Sequence, residues 1–354
     1  MSVAFVTYIS AGVGGGLWRA RLAISAYRRA GLSVRLVPPL SGGPAPGCGA
    51  DVYLSYHESY DALLKALAGA LACGGRAAAL LQGMPFYARR ERREAILRAL
   101  SLFEQFAGGL GGRYLAARRA VVLRPRHPFR DAFRLFHLVI HVSPAIPAET
   151  GLGGVVLDPG VSLPAAEMKA AARARIQTGG RKHALYVGRA VPEKGIVEAV
   201  VAYAKAGARL GRRLVIASPP GFGVEAALRA AKRLGVGDKV AHVPAADRWE
   251  LYRLYASARV VLYPSHDDSY SLVVYEALLA GAPVAAYSIP ALELNFARRG
   301  AAGLALAPEG DLDQLAEAAA QLAAGEVETA PPHLVPLEKI LEVEAAAVKK
   351  LINS

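Results

Sequence analysis

Apolar positions along the chain follow two alternating rhythms, short runs of consecutive aliphatic and β-branched residues and longer stretches with helical spacing. That alternation predicts parallel sheets wrapped by helices, an α/β fold. In the first half, residues 3–8, 33–37, 52–56, 77–81, 120–123 and 138–142 read as strands, with a helix over 15–30 closed by Gly31. The second half is more regular, with strands over 184–187, 214–217, 239–243, 259–263 and 283–287 separated by helices over 193–210, 224–234, 271–280 and 311–323. Asp247 and Glu250 form a capping box for one further helix. Pro, Gly and Ser cluster at 157–164 (LDPGVSLP), so the expected division is a first domain over 1–160 and a second over 161–332. Within 333–354, a helix over 337–351 is expected to pack back on the first domain.

Composition supports a chain with a sizeable core, since 53% of the 354 residues are hydrophobic. Two cysteines, Cys48 and Cys73, are too few for a disulfide framework and lack CxxC spacing, which fits a reducing compartment and an intracellular protein. The amino terminus has no basic segment or cleavage pattern of a secretory signal and reads as a strand. Residues 272–292 have the length of a membrane span, but Glu276, Gly281, Pro283 and Pro290 punctuate them as helix, turn and strand. Lys and Arg number 42 against 29 acids, a net charge of +13, which points to a polyanionic partner: nucleic acid, an anionic membrane surface or a phosphorylated substrate.

Three places carry candidate chemistry. The GVGGG run at 12–16 follows the first strand and opens a helix, where backbone amides and the helix end meet phosphate, and Gly15 and Gly16 lie closest to that helix. The dinucleotide version of this motif is incomplete, because Leu17 holds the third glycine position and no acid ends the second strand. In the second half, Gly188 and Arg189 end a strand and Pro192-Glu193-Lys194-Gly195 opens a helix, so two cations stand at the carboxyl edge of a sheet, suited to a pyrophosphate. Finally, Asp268 and Glu276 stand eight residues apart around Ser269, Tyr270, Ser271 and Leu272, and can present carboxylates and helix-start amides to sugar hydroxyls. A structural ion pair is the alternative for Glu276. No metal site is expected at Asp267-Asp268, which lacks further ligands at suitable spacing.

The runs YVGRAVPEKG (186–195), YPSHDDSYSLVVYEALLAGAPV (263–284) and VIHVS (139–143) together resemble glycosyltransferase family 4. The resemblance implies the GT-B fold, two Rossmann-like doubly wound domains facing across a cleft. It further implies a nucleoside-diphosphate sugar donor held mainly by the second domain, and transfer with retention of configuration without a metal or other cofactor. Position by position, Arg189 and Lys194 match the pyrophosphate-binding pair, Glu276 the ribose-binding second Glu of a Glu-x7-Glu signature, and Gly15 and Gly16 the first-domain glycine pair. Asp268 takes the first Glu position, one methylene shorter, and Ser269-Tyr270-Ser271 replaces Gly-Phe-Gly. Where family members often carry a His after the strand at 77–81, this chain has Gln82, and His57 is the alternative group for the reacting centre.

The leading expectation is thus a retaining glycosyltransferase acting on a hydroxyl acceptor that is lipid-linked or phosphorylated. Its alternatives are a non-catalytic protein that binds anions or nucleic acid, and a nucleotide-linked oxidoreductase. Nucleic acid is disfavoured by the lack of aromatic and basic interleaving. Residues 89–134 hold twelve arginines against four acids, and Ile96, Leu97, Leu100, Phe103 and Phe106 follow helical spacing behind Arg89, Arg90, Arg92 and Arg93. Two readings stand for this segment, a helix lying on an anionic bilayer and a core-packed helix with a solvated basic face. The expected location is cytoplasmic, peripheral at the inner membrane face under the first reading.

Overall fold

The computed structural model describes residues 1–7, 15–38, 47–123, 128–160, 163, 165–177, 180–244 and 247–354. They form two compact units, one of Met1–Ala88, Arg124–Ser162 and Leu334–Ser354, the other of Arg89–Leu123 and Leu163–His333.

The chain begins with β1 (Ser2–Val6), α1 (Gly15–Arg29), β2 (Ser33–Val37), β3 (Val52–Ser55), α2 (Tyr60–Cys73) and β4 (Arg76–Leu81). It leaves the first unit for α3 (Arg90–Ala107) and α4 (Gly112–Leu123), then returns through α5 (Pro128–Ala132), β5 (Leu138–His141), α6 (Ala145–Thr150) and β6 (Val155–Val156). The second unit continues with α7 (Ala165–Gln177), β7 (His183–Val187), α8 (Ile196–Ala206), β8 (Leu214–Ala217), α9 (Phe222–Arg233), β9 (Val240–Val243) and α10 (Arg248–Ala256). It closes with β10 (Ala258–Tyr263), α11 (Leu272–Leu279), β11 (Val284–Tyr287), α12 (Pro290–Asn295), β12 (Leu304–Ala307) and α13 (Leu312–Ala324), after which α14 (Leu337–Asn353) rejoins the first unit.

The first unit holds a parallel sheet in the order β2-β1-β3-β4-β5-β6. All four residues of β3 are buried, as expected of a central strand covered on both faces. The strand order reverses between β1 and β3, and a reversal of this kind opens a crevice at the carboxyl ends of the strands. Helix α14 is tied in by a buried ion pair, Arg19 to Glu344 at 2.6 Å, and by Ile340, Leu341, Ala345 and Val348 in the apolar core. Cys48 and Cys73 form a disulfide, where the sequence reading took them as reduced thiols. The end of α2 packs beside the chain entering β3, which brings the two residues together across 25 positions.

The second unit holds a parallel sheet in the order β12-β11-β10-β7-β8-β9, the doubly wound order with its reversal between β7 and β10. The helix expected over 193–210 is divided. A 3-10 turn (Pro192–Lys194) precedes α8, because Gly195 adopts φ 69° and a Cβ there would strike the Pro264 carbonyl oxygen. Residues 120–123, expected as a strand, are the last turn of α4: Leu115 and Val122, seven apart, share the buried face of a helix already begun at Gly112.

The expected first domain differs from the observed unit at α3 and α4, which cluster with the second unit. The reason lies in the apolar face of α3. Ile96, Leu100 and Phe103 are buried, and the Phe103 ring meets Phe222 of α9 edge-on at 5.9 Å between centroids. This is the core-packed form of the helix, with Arg89, Arg90 and Arg98 left exposed and Arg92 buried.

Candidate functional site

The strand reversal between β7 and β10 brings two loops side by side at the carboxyl edge of the second sheet. One is Gly188–Gly195 after β7, the other 264–271 after β10. Their backbones are joined directly, since His266 N–H donates to the Glu193 carbonyl at 2.8 Å. Tyr186, buried in β7, donates from its hydroxyl to the carbonyls of Arg189 (3.0 Å) and Lys194 (3.2 Å), fixing the first loop from below.

Within this frame Lys194 and Asp268 meet. The ammonium lies 3.4 Å from Asp268 Oδ2 and donates to the Asp267 carbonyl, while the Tyr263 hydroxyl donates to the same Asp268 oxygen. Both side chains keep part of their surface exposed, 14% for Lys194 and 17% for Asp268. Arg189 is exposed on the loop beside them, and Gly188 takes φ 154°. Ser271 caps α11 by accepting from Val274 N–H at 3.2 Å, which orients the start of that helix. Asn295 Nδ2 donates to the Ser269 carbonyl at 2.8 Å, the Tyr270 ring stacks on Phe296 at 5.2 Å, and Leu272 opens the helix, half-buried.

Glu276 has a separate set of partners. It is 3% exposed and accepts from Arg248 at 2.6 Å, with the Tyr255 hydroxyl 3.4 Å from its other oxygen. Burial raises its pKa, and the Arg248 guanidinium works against that rise. Arg248 in turn pairs with Glu167 of α7 at 2.8 Å, so the ion pair that was the alternative reading of Glu276 is present.

Several groups at this edge escaped sequence reasoning. His266 is buried between two carboxylates, with Nε2 2.9 Å from Glu198 Oε2 and Nδ1 2.7 Å from Glu309 Oε1. Burial alone would lower its pKa, but Glu198 and then Glu309 outweigh burial and push it up to about 9. Arg92 of α3 donates to the His266 carbonyl at 2.5 Å and pairs with Glu309. From α4, Arg118 reaches Glu193 (3.3 Å) and Asp267 (3.4 Å), and the Tyr114 hydroxyl donates to Glu193, itself 2% exposed. Only His266 carried a local signal, a histidine three residues after an apolar strand; its partners lie far away in sequence.

In the first unit, the GVGGG run falls mostly outside the described residues, and Gly15 and Gly16 form the start of α1. His57 follows β3 at that sheet's own reversal. Its Nδ1 accepts from Ser59 N–H at 3.1 Å, and its Nε2 is 3.9 Å from Glu58. Gln82 donates to the Tyr56 carbonyl at 2.9 Å. Among the described residues no group of three or more His, Cys, Asp or Glu is arranged to hold a metal ion, and no helix is long and apolar enough to cross a membrane.

Comparison with known proteins bears on the second unit first. Residues 169–331, a little under half of the chain, match the family model of glycosyl transferases group 1. The D-inositol 3-phosphate glycosyltransferase of Segniliparus rotundus is 37% identical over 137 residues, covering 36% of this chain and 30% of that protein. Its counterpart from Kribbella flavida is 34% identical over 180 residues, 48% of this chain and 42% of that protein. The chain thus spans less than half the length of these curated relatives. The solved structure of Anabaena Alr3699/HepE in complex with UDP and glucose aligns with a TM-score of 0.61 at 15% identity, over 99% of this chain and 100% of that one. The fold class is GT-B, with two Rossmann-like α/β units.

Proposed function

We propose that the protein is a retaining glycosyltransferase of family 4 that moves a sugar from a nucleoside-diphosphate sugar to a hydroxyl acceptor, phosphorylated or lipid-linked, without a metal or other cofactor. The observation that carries this reading is the pair of joined loops at the β7/β10 reversal, with Lys194 set against Asp268 inside the stretch that matches the group 1 model. UDP and glucose in the Anabaena structure support a nucleotide-sugar donor. The name D-inositol 3-phosphate glycosyltransferase of the curated relatives supports a phosphorylated acceptor.

In this reading Arg189 and Lys194 bind the donor pyrophosphate, Lys194 exchanging the Asp267 carbonyl for phosphate oxygen. Asp268 accepts from a donor-sugar hydroxyl, and Glu276 from the ribose once Arg248 yields. Gly188, Gly15 and Gly16 allow close backbone approach, and Ser269, Tyr270, Ser271 and Leu272 line the sugar. The bond from the anomeric carbon to the acceptor oxygen forms as the bond to the leaving phosphate breaks. The acceptor proton passes to a donor phosphate oxygen, and the two cations stabilise the charge that develops on the pyrophosphate. His57 is the first-unit candidate for the reacting centre.

A melting screen with UDP-glucose, GDP-mannose and ADP-glucose tests the reading. A donor at about 100 times its Kd adds roughly 2.7 kcal/mol of stability. Transfer of labelled sugar to inositol phosphates and polyprenyl phosphates, with the product anomer read by NMR, tests the chemistry. No shift and no transfer with any donor refutes the proposal.

An anionic membrane surface enters the proposal on charge alone, through exposed Arg89, Arg90 and Arg98, since the apolar face of α3 is already buried. Binding to anionic vesicles at low salt with release at high salt is the expected result, and no binding at low salt removes this part. A cytoplasmic location, peripheral at the inner membrane face, belongs to the same proposal and requires the Cys48–Cys73 bridge to persist in a reducing compartment.

A further inference from the structure

Helices α3 and α4 are built into the second unit, and the polar side chains of α4 land on the neighbours of the candidate donor groups. Arg118 bridges Glu193 and Asp267, which immediately precede Lys194 and Asp268. Tyr114 holds Glu193 as well. The two acids therefore face α4, while Lys194 and Asp268 face each other. From α3, Arg92 ties the second loop through the His266 carbonyl and Glu309.

Apolar packing by Ile96, Leu100 and Phe103 of α3 and by Leu115 and Val122 of α4 already anchors these helices, so their attachment does not require Arg118. What Arg118 adds is specific to the two loops. Its planar fork reaches two carboxylates on separate loops, a task an ammonium performs poorly. Its charge also offsets two acids that would otherwise stand beside an incoming diphosphate and repel it.

We propose that Arg118 is a positioning residue of the donor site, and that α3 and α4 brace the Gly188–Gly195 and 264–271 loops in the arrangement that sets Lys194 and Asp268 for the donor. This inference rests on the proposed function for its ligand, but the bracing itself is measurable without one.

The test uses the full chain with Arg118→Gln, Arg118→Lys and, as a control on the exposed side of α4, Arg113→Gln. Hydrogen exchange without ligand should quicken in both loops for Arg118→Gln and stay unchanged for Arg113→Gln, with all variants folded by circular dichroism. With UDP-glucose, or whichever of GDP-mannose and ADP-glucose shifts the wild type most, donor KM should rise about tenfold and kcat should fall. Arg118→Lys should recover part of the KM and little of the loop protection, because it restores charge but not the fork. Unchanged exchange in either loop overturns the inference. So does unchanged KM and kcat in a variant whose loops exchange faster. If no nucleotide sugar shifts the wild type, the proposed function fails, and the exchange arm alone decides whether α4 braces the loops.

Discussion

Raising the pH from about 6 to about 9.5 should strip the second unit of roughly 3 kcal/mol of folding stability, and His266→Gln should flatten that dependence. The magnitude follows from the imidazole's surroundings. It is 1% exposed, held between Glu198 and Glu309, with the Tyr287 hydroxyl on Glu198 and Arg92 on Glu309 and on its own carbonyl. The gap between an ordinary value of 6.5 and about 9 converts at about 1.4 kcal/mol per pH unit to roughly 3 kcal/mol. Because the folded value is the higher one, the folded protein holds more protons between the two values. The contribution is therefore complete below about 6.5 and lost as pH climbs through 9. The scan stops at about 9.5 because buried tyrosines such as Tyr263, also raised, add a loss of the same sign above 10. Urea unfolding followed by circular dichroism measures it. His266→Gln should lose about 3 kcal/mol near pH 6 and little near pH 9.5, so the two curves converge. Parallel curves would show that His266 carries no charge in the fold.

Four further outcomes are expected. Lys194→Ala should cost about ten- to hundredfold in turnover or donor affinity with the fold intact, and Asp268→Asn should give a smaller, sugar-dependent defect; wild-type kinetics in both variants would remove this pair from the site. Glu276→Gln should impair transfer while Arg248 keeps Glu167, whereas Arg248→Ala should mainly destabilise, by roughly 1 to 3 kcal/mol after allowance for its partial exposure; denaturation paired with kinetics separates the two. Glu344→Gln leaves the buried Arg19 without its acid and should cost about 3 to 5 kcal/mol in the first unit, which equal denaturation midpoints would contradict. Reducing Cys48–Cys73 opens a loop of 25 residues and should cost about 3 kcal/mol, read as a lower melting temperature in dithiothreitol.

What was legible in the sequence was local. Strands such as β3 and β8 stand where their apolar runs lie, because a run buried on both faces needs no information from elsewhere in the chain. The Asp247 cap is present, its side chain accepting from Glu250 N–H at 2.8 Å. Residues 120–123 misled because Val121, Val122 and Leu123 look like a strand in isolation, and only the helix begun eight residues earlier decides otherwise. The loops after β7 and β10 could be found from their punctuation, and the strand order then explains why they adjoin. His266, Arg92 and Arg118 could not be assigned roles, since their partners stand 43, 174 and 149 residues away and one sequence carries no record of such pairs.

The arginine-rich segment shows what a linear charge count misses. Residues 89–134 carry a strong positive excess when counted along the chain. In the fold, Arg92 takes its acid from Glu309, and Arg118 shares Glu193 and Asp267, all supplied by the second half of the sequence. Arg90 and Arg119 are matched locally by Glu94 and Glu104. Four of the cations that made the segment look like a membrane or nucleic-acid surface are therefore opposed by carboxylates, and two of those four secure the loops of the candidate donor site. A field attractive to a polyanion arises from what pairing leaves over, which on this segment is a few exposed arginines. At the β7/β10 edge, Arg189 is exposed and Lys194 is held only by groups that a phosphate can replace. Under the proposed function those two cations meet a diphosphate at that edge, while an anionic surface lying along α3 has only its few exposed arginines to bind.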